Sequence, residues 1–129
     1  MTADASVVRR LYEAREREDI DTSASLLAPD VQWHEPYDYL GTIHGREAVL
    51  EAIRHTLDET GGGFRLHLTD VLASDDHVVA LVDFEAERDG QRLSGREVGV
   101  FRVADGLIQE VWFYAAEDPQ IVNEFLRGD

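Results

Sequence analysis

The sequence predicts an α+β fold in which helices come first and four long antiparallel strands follow, forming a curved sheet with the helices on one face. Two observations carry this expectation. Apolar residues recur at helical spacing through the first half of the chain and at alternate positions from Phe64 onward. Turn signals then cut the alternating half into hairpins, with Asp89-Gly90 the strongest of them. With 129 residues, 43% of them hydrophobic, the chain reads as one domain over residues 1–129, able to bury a core.

The elements follow in order. Asp4 caps a first helix over residues 5–18. Val7, Val8, Leu11 and then Ala14 or Arg15 hold its apolar face, opposite Arg9, Arg10, Glu13 and Arg17. Asp21-Thr22-Ser23 opens a short second helix over Ala24–Ala28, closed by Pro29-Asp30. Val31–Glu35 alternates as a short strand that Pro36 ends. Gly45 precedes a third helix, Arg46–Glu59, with Ala48, Val49, Ala52, Ile53 and Leu57 on one side. Gly61-Gly62-Gly63 is a turn, lacking the strand-before, helix-after setting of a phosphate loop.

Beyond that turn, Phe64, Leu66 and Leu68 alternate with Arg65, His67 and Thr69. Val78–Arg88 places Ala80, Val82, Phe84 and Ala86 on one face. Residues 91–103 and 107–115 give two more strands around Ala104-Asp105-Gly106, and Pro119–Leu126 a short terminal helix. Nothing marks a second domain, repeat or low-complexity tract.

Composition removes several chemistries. There is no cysteine, hence no disulfide, thiolate metal site or cysteine nucleophile. All twelve basic residues are arginine, which excludes Schiff-base chemistry and the phosphate-loop lysine. None of the five serines lies in a G-x-S-x-G setting. A net charge of -15 repels nucleic acid and anionic membranes, so neither is an expected partner. No apolar run approaches a membrane span and no leader is legible, so a soluble, cytoplasmic protein is expected.

Chemistry concentrates in Trp33-His34-Glu35-Pro36, the following Tyr37, Asp38 and Tyr39, and His44-Gly45-Arg46-Glu47. A carboxylate beside aromatic surface at a strand end is suited to acid/base work, because apolar surroundings raise its pKa towards neutrality. His34, His44 and Glu35 have the composition of a two-histidine, one-carboxylate triad, but their spacing is loose and no metal is expected. In a regular strand His34 points away from Glu35 and packs outward.

With these pieces in order, the chain resembles the nuclear transport factor 2-like superfamily, and most closely its SnoaL-like and ketosteroid isomerase-like branch. Asp19-Ile20-Asp21, Leu26-Leu27-Ala28-Pro29-Asp30-Val31, Trp33-His34-Glu35-Pro36, Gly45-Arg46-Glu47-Ala48-Val49 and Asp105-Gly106-Leu107-Ile108 carry the resemblance along the whole chain. It implies a cone: the four long strands and a short one wrap a deep apolar pocket that three N-terminal helices and a short C-terminal helix close. It also implies a homodimer through the outer sheet face.

Glu35 falls where the isomerases carry their general base. Their two enolate-stabilising donors do not carry over. The tyrosine position on the first helix falls at Leu11 or Arg10, with Tyr12 adjacent, and the aspartate position falls at Gly99. Two such donors, each worth roughly 3 kcal/mol, are missing, so steroid isomerase activity is not expected.

Glu97 shares the presumed inward face with Gly99 and Phe101, and two inward carboxylates in an apolar pocket should leave one protonated near neutral pH. The alternative for Glu97 is a rim salt bridge with Arg96 or Arg54. Tyr37 and Tyr39 are expected as a lid, either of them able to donate a hydrogen bond to a carbonyl, and Tyr39 is counted with Glu35 and Glu97 as a catalytic candidate. Tyr12, Trp33, Tyr37, His44, Val82, Phe84, Phe101, Val111 and Phe113 are candidate ligand contacts, and Gly99 leaves room for a bulky ligand. Asp83 and Glu85 face the other way.

The expected function is cofactor-independent cyclisation, isomerisation or dehydration of an apolar, oxygenated, polyketide- or terpenoid-like molecule, with Glu35 as base. One alternative is water activation by Glu35, as in an epoxide hydrolase or hydratase. The other is a noncatalytic ligand-binding or dimerisation module, which predicts a small or filled cavity and Glu35 locked to an arginine.

Overall fold

The computed structural model describes residues 3–36, 41–116, 121, 124 and 125. Its elements are α1 (Ala5–Glu16), α2 (Ile20–Ser25), β1 (Leu27–His34), β2 (Thr42–His44), α3 (Arg46–Glu59), β3 (Arg65–Ala73), β4 (Val78–Arg88), β5 (Gln91–Ala104) and β6 (Leu107–Ala115). The six strands form one curved, unclosed sheet in the order β2-β1-β6-β5-β4-β3. All neighbours are antiparallel except β1 and β6, which run parallel. The predicted α+β architecture is therefore present, with one more strand than expected.

Local chemistry explains the boundaries. The Asp4 carboxylate accepts from the Ser6 backbone N–H at 3.0 Å and starts α1. The second helix begins earlier than predicted because Asp19, not Asp21, caps it, accepting from the Thr22 backbone at 3.0 Å and its hydroxyl at 2.6 Å. Leu27–Asp30, read from sequence as helix end and turn, is instead the start of β1, where Leu27 stands beside Ile108. The register slips between Leu27 and Gln32, around Pro29, which cannot donate to a ladder. Gly45 opens α3 at φ 92°, a conformation that an L side chain resists, and its N–H reaches the Val31 carbonyl at 2.7 Å. That bond ties the start of α3 to the middle of β1.

The core lies between the helices and the concave sheet face. Val7, Val8 and Leu11 of α1 and Val49, Leu50 and Ile53 of α3 meet Val31 and Trp33 of β1 and Val82, Phe101, Ile108 and Val111 of the long strands. Each fully buried side chain of this size contributes about 1.5–3 kcal/mol relative to exposure. The period-two pattern of β4 is explicit: Val78, Ala80, Val82, Phe84 and Ala86 are buried and their neighbours are not. The terminal helix at Pro119–Leu126 falls mostly outside the described residues; Ile121, Glu124 and Phe125 are helical and Phe125 is buried. Among the described residues no helix is long and apolar enough to cross a membrane.

Candidate active site

A cavity of about 60 Å³ opens on the concave side of the sheet. Trp33 and Glu35 enter it from β1 and the residue after its end, Phe84 and Ala86 from β4, and Leu93 and Glu97 from β5. Ala52, Ile53 and Thr56 of α3, Arg15 of α1, and Phe64, Leu66 and Phe125 complete the wall. The lining is thus mostly apolar, with two carboxylates and one guanidinium.

Glu35 follows β1 directly, and its backbone N–H donates to the Gly41 carbonyl at 3.0 Å. Its carboxylate accepts the Trp33 indole N–H at 2.6 Å, a short charge-assisted bond. The Trp33 ring is buried and packs on Phe113 with 4.8 Å between centroids. Burial pushes the Glu35 carboxyl above its ordinary value, opposed by the indole bond and by the Arg15 charge.

Glu97 comes from the opposite wall, where β5 alternation turns it inward as the sequence predicted. Burial, reinforced by the Glu35 charge and opposed by Arg15, pushes its pKa up to about 8. The rim salt bridges weighed for it are taken by others: Arg96 pairs with Asp83 at 3.4 Å and Arg54 with Glu51 at 3.7 Å. Both glutamates are half-buried, their carboxyls deep enough for burial to dominate. Of the two, Glu97 keeps its proton to the higher pH, since the repulsion falls on it while the indole bond favours the ionised form of Glu35.

Arg15 is the charged pocket residue that sequence reasoning did not select. Its guanidinium carbon lies 5.7 Å from the centroid of the Trp33 ring. The signal was present: Arg15 stands one turn beyond Leu11, on the face that carries the core residues of α1. Tyr12 was expected near the site, and its ring is buried edge-on to Phe101, 6.0 Å between centroids. Among the described residues its hydroxyl has no hydrogen-bond partner. Burial, then the charges of Glu97 and Glu35, push its pKa upward, with Arg15 opposing. Tyr12 does not line the cavity.

Several expected wall residues lie in the core instead of on the cavity. Of Val82, Phe84, Gly99, Phe101, Val111 and Phe113, only Phe84 lines it; Val82, Phe101, Val111 and Phe113 are packed in the core. Gly99 does not make room for a bulky ligand. A Cβ there would stand 2.7 Å from Phe101 Cε1 and 3.3 Å from Phe113 Cε1, so the Phe101 ring already fills the space. Tyr37 and Tyr39, the expected lid, lie outside the described residues.

His44 is exposed on β2 opposite Gln32, away from the pocket. His34 turns outward as expected, its Nε2 2.7 Å from Glu110 and its Nδ1 3.1 Å from the Thr42 hydroxyl, with the ring stacked on Trp112. Glu35, His34 and His44 therefore do not converge. Among the described residues no group of three metal-ligating side chains is present. On that outer face Trp112 is half-buried, while Tyr114 and Leu72 are 58% and 56% exposed.

Comparison with known proteins extends this picture. The family described as SnoaL-like domain matches residues 8–111. An uncharacterized protein of Mycobacterium tuberculosis is 32% identical over 127 residues, covering 95% of both chains. Among solved structures, a protein from a soil-derived mobile gene cassette is 33% identical with a TM-score of 0.89, each chain covered to 95%. A putative ketosteroid isomerase from Kribbella flavida is 25% identical with a TM-score of 0.71, over 88% of this chain and 77% of the other.

Proposed function

The chain belongs to the SnoaL-like domain family of nuclear transport factor 2-like proteins, and on that premise we propose that it binds a small oxygenated molecule and moves a proton on it with Glu35 and Glu97. The observation that carries this reading is the pair of carboxylates facing one apolar cavity, one of them with its pKa pushed up to about 8. Ionised Glu35 accepts a proton from carbon or oxygen, and protonated Glu97 delivers one to a carbonyl or leaving oxygen. Isomerisation, cyclisation and dehydration all reduce to that exchange, which needs no redox or group-carrying partner. The aromatic and aliphatic wall limits the water that would compete for the proton.

The size of the cavity refines the substrate. Pockets for whole drug-sized ligands run to roughly 300–1,000 Å³, whereas this one holds about 60 Å³. It suits a small substrate or the oxygenated end of a larger one. The same size favours one alternative, because a cavity of this volume with two carboxylates on its wall is roomy enough for ordered water near them, as hydration or epoxide opening requires. A noncatalytic module fits the small cavity too. Against it stands Glu35, bonded to the Trp33 indole rather than to an arginine.

The outer sheet face, with exposed Tyr114 beside Trp112 on β6 and exposed Leu72 across the sheet on β3, supports a homodimer. A Tyr114→Asp chain should then run as a monomer in light scattering where the wild type runs as a dimer.

Hydrogen–deuterium exchange on a panel of small cyclic enones and β-diketones, followed by NMR in deuterated water, tests the proton-transfer reading. The wild type should speed exchange of at least one compound, and Glu35→Gln should lower that rate by about 10² or more. Rates for the wild type no faster than for Glu35→Gln across the panel would overturn it. Conversion of a small epoxide to its diol, without exchange, would move the assignment to water activation.

A further inference from the structure

We infer that the outer-face homodimer is gated by pH through His34: its seam forms on the neutral imidazole and opens when His34 takes up a proton. The inference rests on the homodimer reading of that face and is independent of the chemistry in the cavity.

One row of outward side chains crosses the whole sheet in register: Thr42, His34, Trp112, Val100, Val79 and Leu72. The last four are apolar, and the His34 ring stacks on Trp112 with 5.7 Å between centroids. Charge on the neighbouring strands of this face is balanced. β5 turns Arg92, Arg96 and Arg102 outward, against Asp83, Glu85 and Glu87 of β4. In a chain of net charge -15 the excess of acid therefore lies elsewhere, and a second copy meets less repulsion here. At about 4.8 Å per strand and about 3.3 Å per residue over the nine residues of β6, the six-stranded face covers roughly 700 Å². Each partner in a standard interface contributes about 800 Å².

Within that row His34 has partners that serve both of its protonation states. Its Nε2 lies 2.7 Å from Glu110, and since a carboxylate only accepts, that nitrogen carries a hydrogen. Its Nδ1, 3.1 Å from the Thr42 hydroxyl, accepts from it when the ring is neutral and donates to it when the ring is charged. Both hydrogen bonds survive the proton, so the proton changes only the charge. The other Glu110 oxygen faces Arg102 at 3.6 Å. With His34 neutral, carboxylate and guanidinium cancel; with His34 protonated, the cluster carries one positive charge, which a two-fold axis doubles. His34 and Glu110 keep 26% and 18% of their side-chain surface in water, which a second copy laid on the row would displace. Burying a net charge costs more than burying a compensated pair. The dimer therefore holds the His34 proton less tightly than the free chain does. Imidazole ordinarily changes charge between about pH 5 and 8, so by linkage the dimer is favoured above that change and weakens as pH falls through it. Two other imidazoles stand near the ring: His44 of β2, opposite Gln32, and His77, 6.2 Å from Trp112. Their protons add positive charge to the same face and act in the same direction. The core residues of α3 pack on the other side of β1, away from the His34 ring.

Sedimentation velocity over a concentration series at about pH 8 and about pH 5.5 tests the gate, in about 0.3 M salt to screen the repulsion between two acidic chains. The wild-type dimer dissociation constant should rise about tenfold or more at the lower pH, the equivalent of one pH unit of proton affinity at one imidazole. Circular dichroism should stay unchanged, which marks dissociation without unfolding. His34→Gln still donates to Glu110 but takes no charge, so its constant should change by less than about threefold. His34→Lys, charged at both pH values, should be weak at both. If His34→Gln does not fold, His34→Asn takes its place. A wild type that is monomeric at both pH values overturns the inference and the homodimer together. A dimer equally tight at both, or tighter in acid, overturns the gate and leaves the homodimer standing. A folded neutral variant that keeps the full wild-type change overturns the gate as well.

Discussion

Replacing Glu97 with glutamine tests the electrostatics of the site without needing a substrate. Glutamine has nearly the shape of a protonated glutamate but cannot ionise. In the folded chain Glu97 has a pKa of about 8 against an ordinary 4.5. A carboxyl whose folded pKa is raised binds its proton more tightly in the native state than in the unfolded one. Native stability is therefore greatest below the unfolded value and declines as pH rises through the folded one. The full difference corresponds to about 5 kcal/mol at 1.36 kcal/mol per pH unit. Glu97 keeps some contact with water, which reduces the expectation to about 2–3 kcal/mol. Urea unfolding of both proteins at pH values of about 5 and 9 measures it, since titrations elsewhere cancel in the difference. The two should be about equally stable at the lower pH, with Glu97→Gln more stable by about 2–3 kcal/mol at the higher one. Parallel stability curves, or a wild type that gains on the variant as pH rises, would refute a raised Glu97 pKa.

Three further outcomes follow from single contacts. Tyr12→Phe removes a buried hydroxyl with no hydrogen-bond partner among the described residues, so stability should hold or rise by up to about 1 kcal/mol in thermal unfolding, and a clear loss would reveal a bond to that hydroxyl. Gly99→Ala pushes a methyl against the fully buried Phe101 ring and should cost about 1–3 kcal/mol in chemical unfolding; a neutral result would mean that Phe101 has room to move. Trp33→Phe deletes the indole donor to Glu35, and carbon-detected NMR of the glutamate carboxyls should find Glu35 titrating at higher pH than in the wild type. An unchanged or lowered midpoint would show that the bond does not stabilise the ionised form.

What the sequence disclosed, and what it withheld, divides along local and non-local lines. Helix Arg46–Glu59 and strand Val78–Arg88 were read to the residue, because caps, periodicity and the Asp89-Gly90 turn are local signals. The start of β1 was misread because its partner is Ile108, whose influence on Leu27 leaves no mark in the neighbouring residues. The three-residue β2 is too short to show a period. Within the site, strand alternation together with the family resemblance pointed Glu35 and Glu97 into one space. It could not foretell Gly99, since a sequence shows that a side chain is missing but not which ring takes its volume. Arg15 was passed over because charge on a helix is ordinarily solvated, and its apolar neighbours Leu11 and Tyr12 were the contrary signal.

The parallel pairing of β1 with β6 has a consequence for the order of assembly. Trp33 and His34, the residues leading into Glu35, are fixed beside Val111 and Trp112, more than half the chain away, whereas β3 through β6 join through neighbouring antiparallel pairs. Loop-closure entropy makes the distant contact the costly one, and it is gained only when most of the sheet already exists. A chain arrested before that step would keep its hairpins and Glu97 yet lack a partner carboxylate. Chemistry at this pocket thus becomes possible only with the last long-range closure, and partly folded molecules have no half-formed version of it.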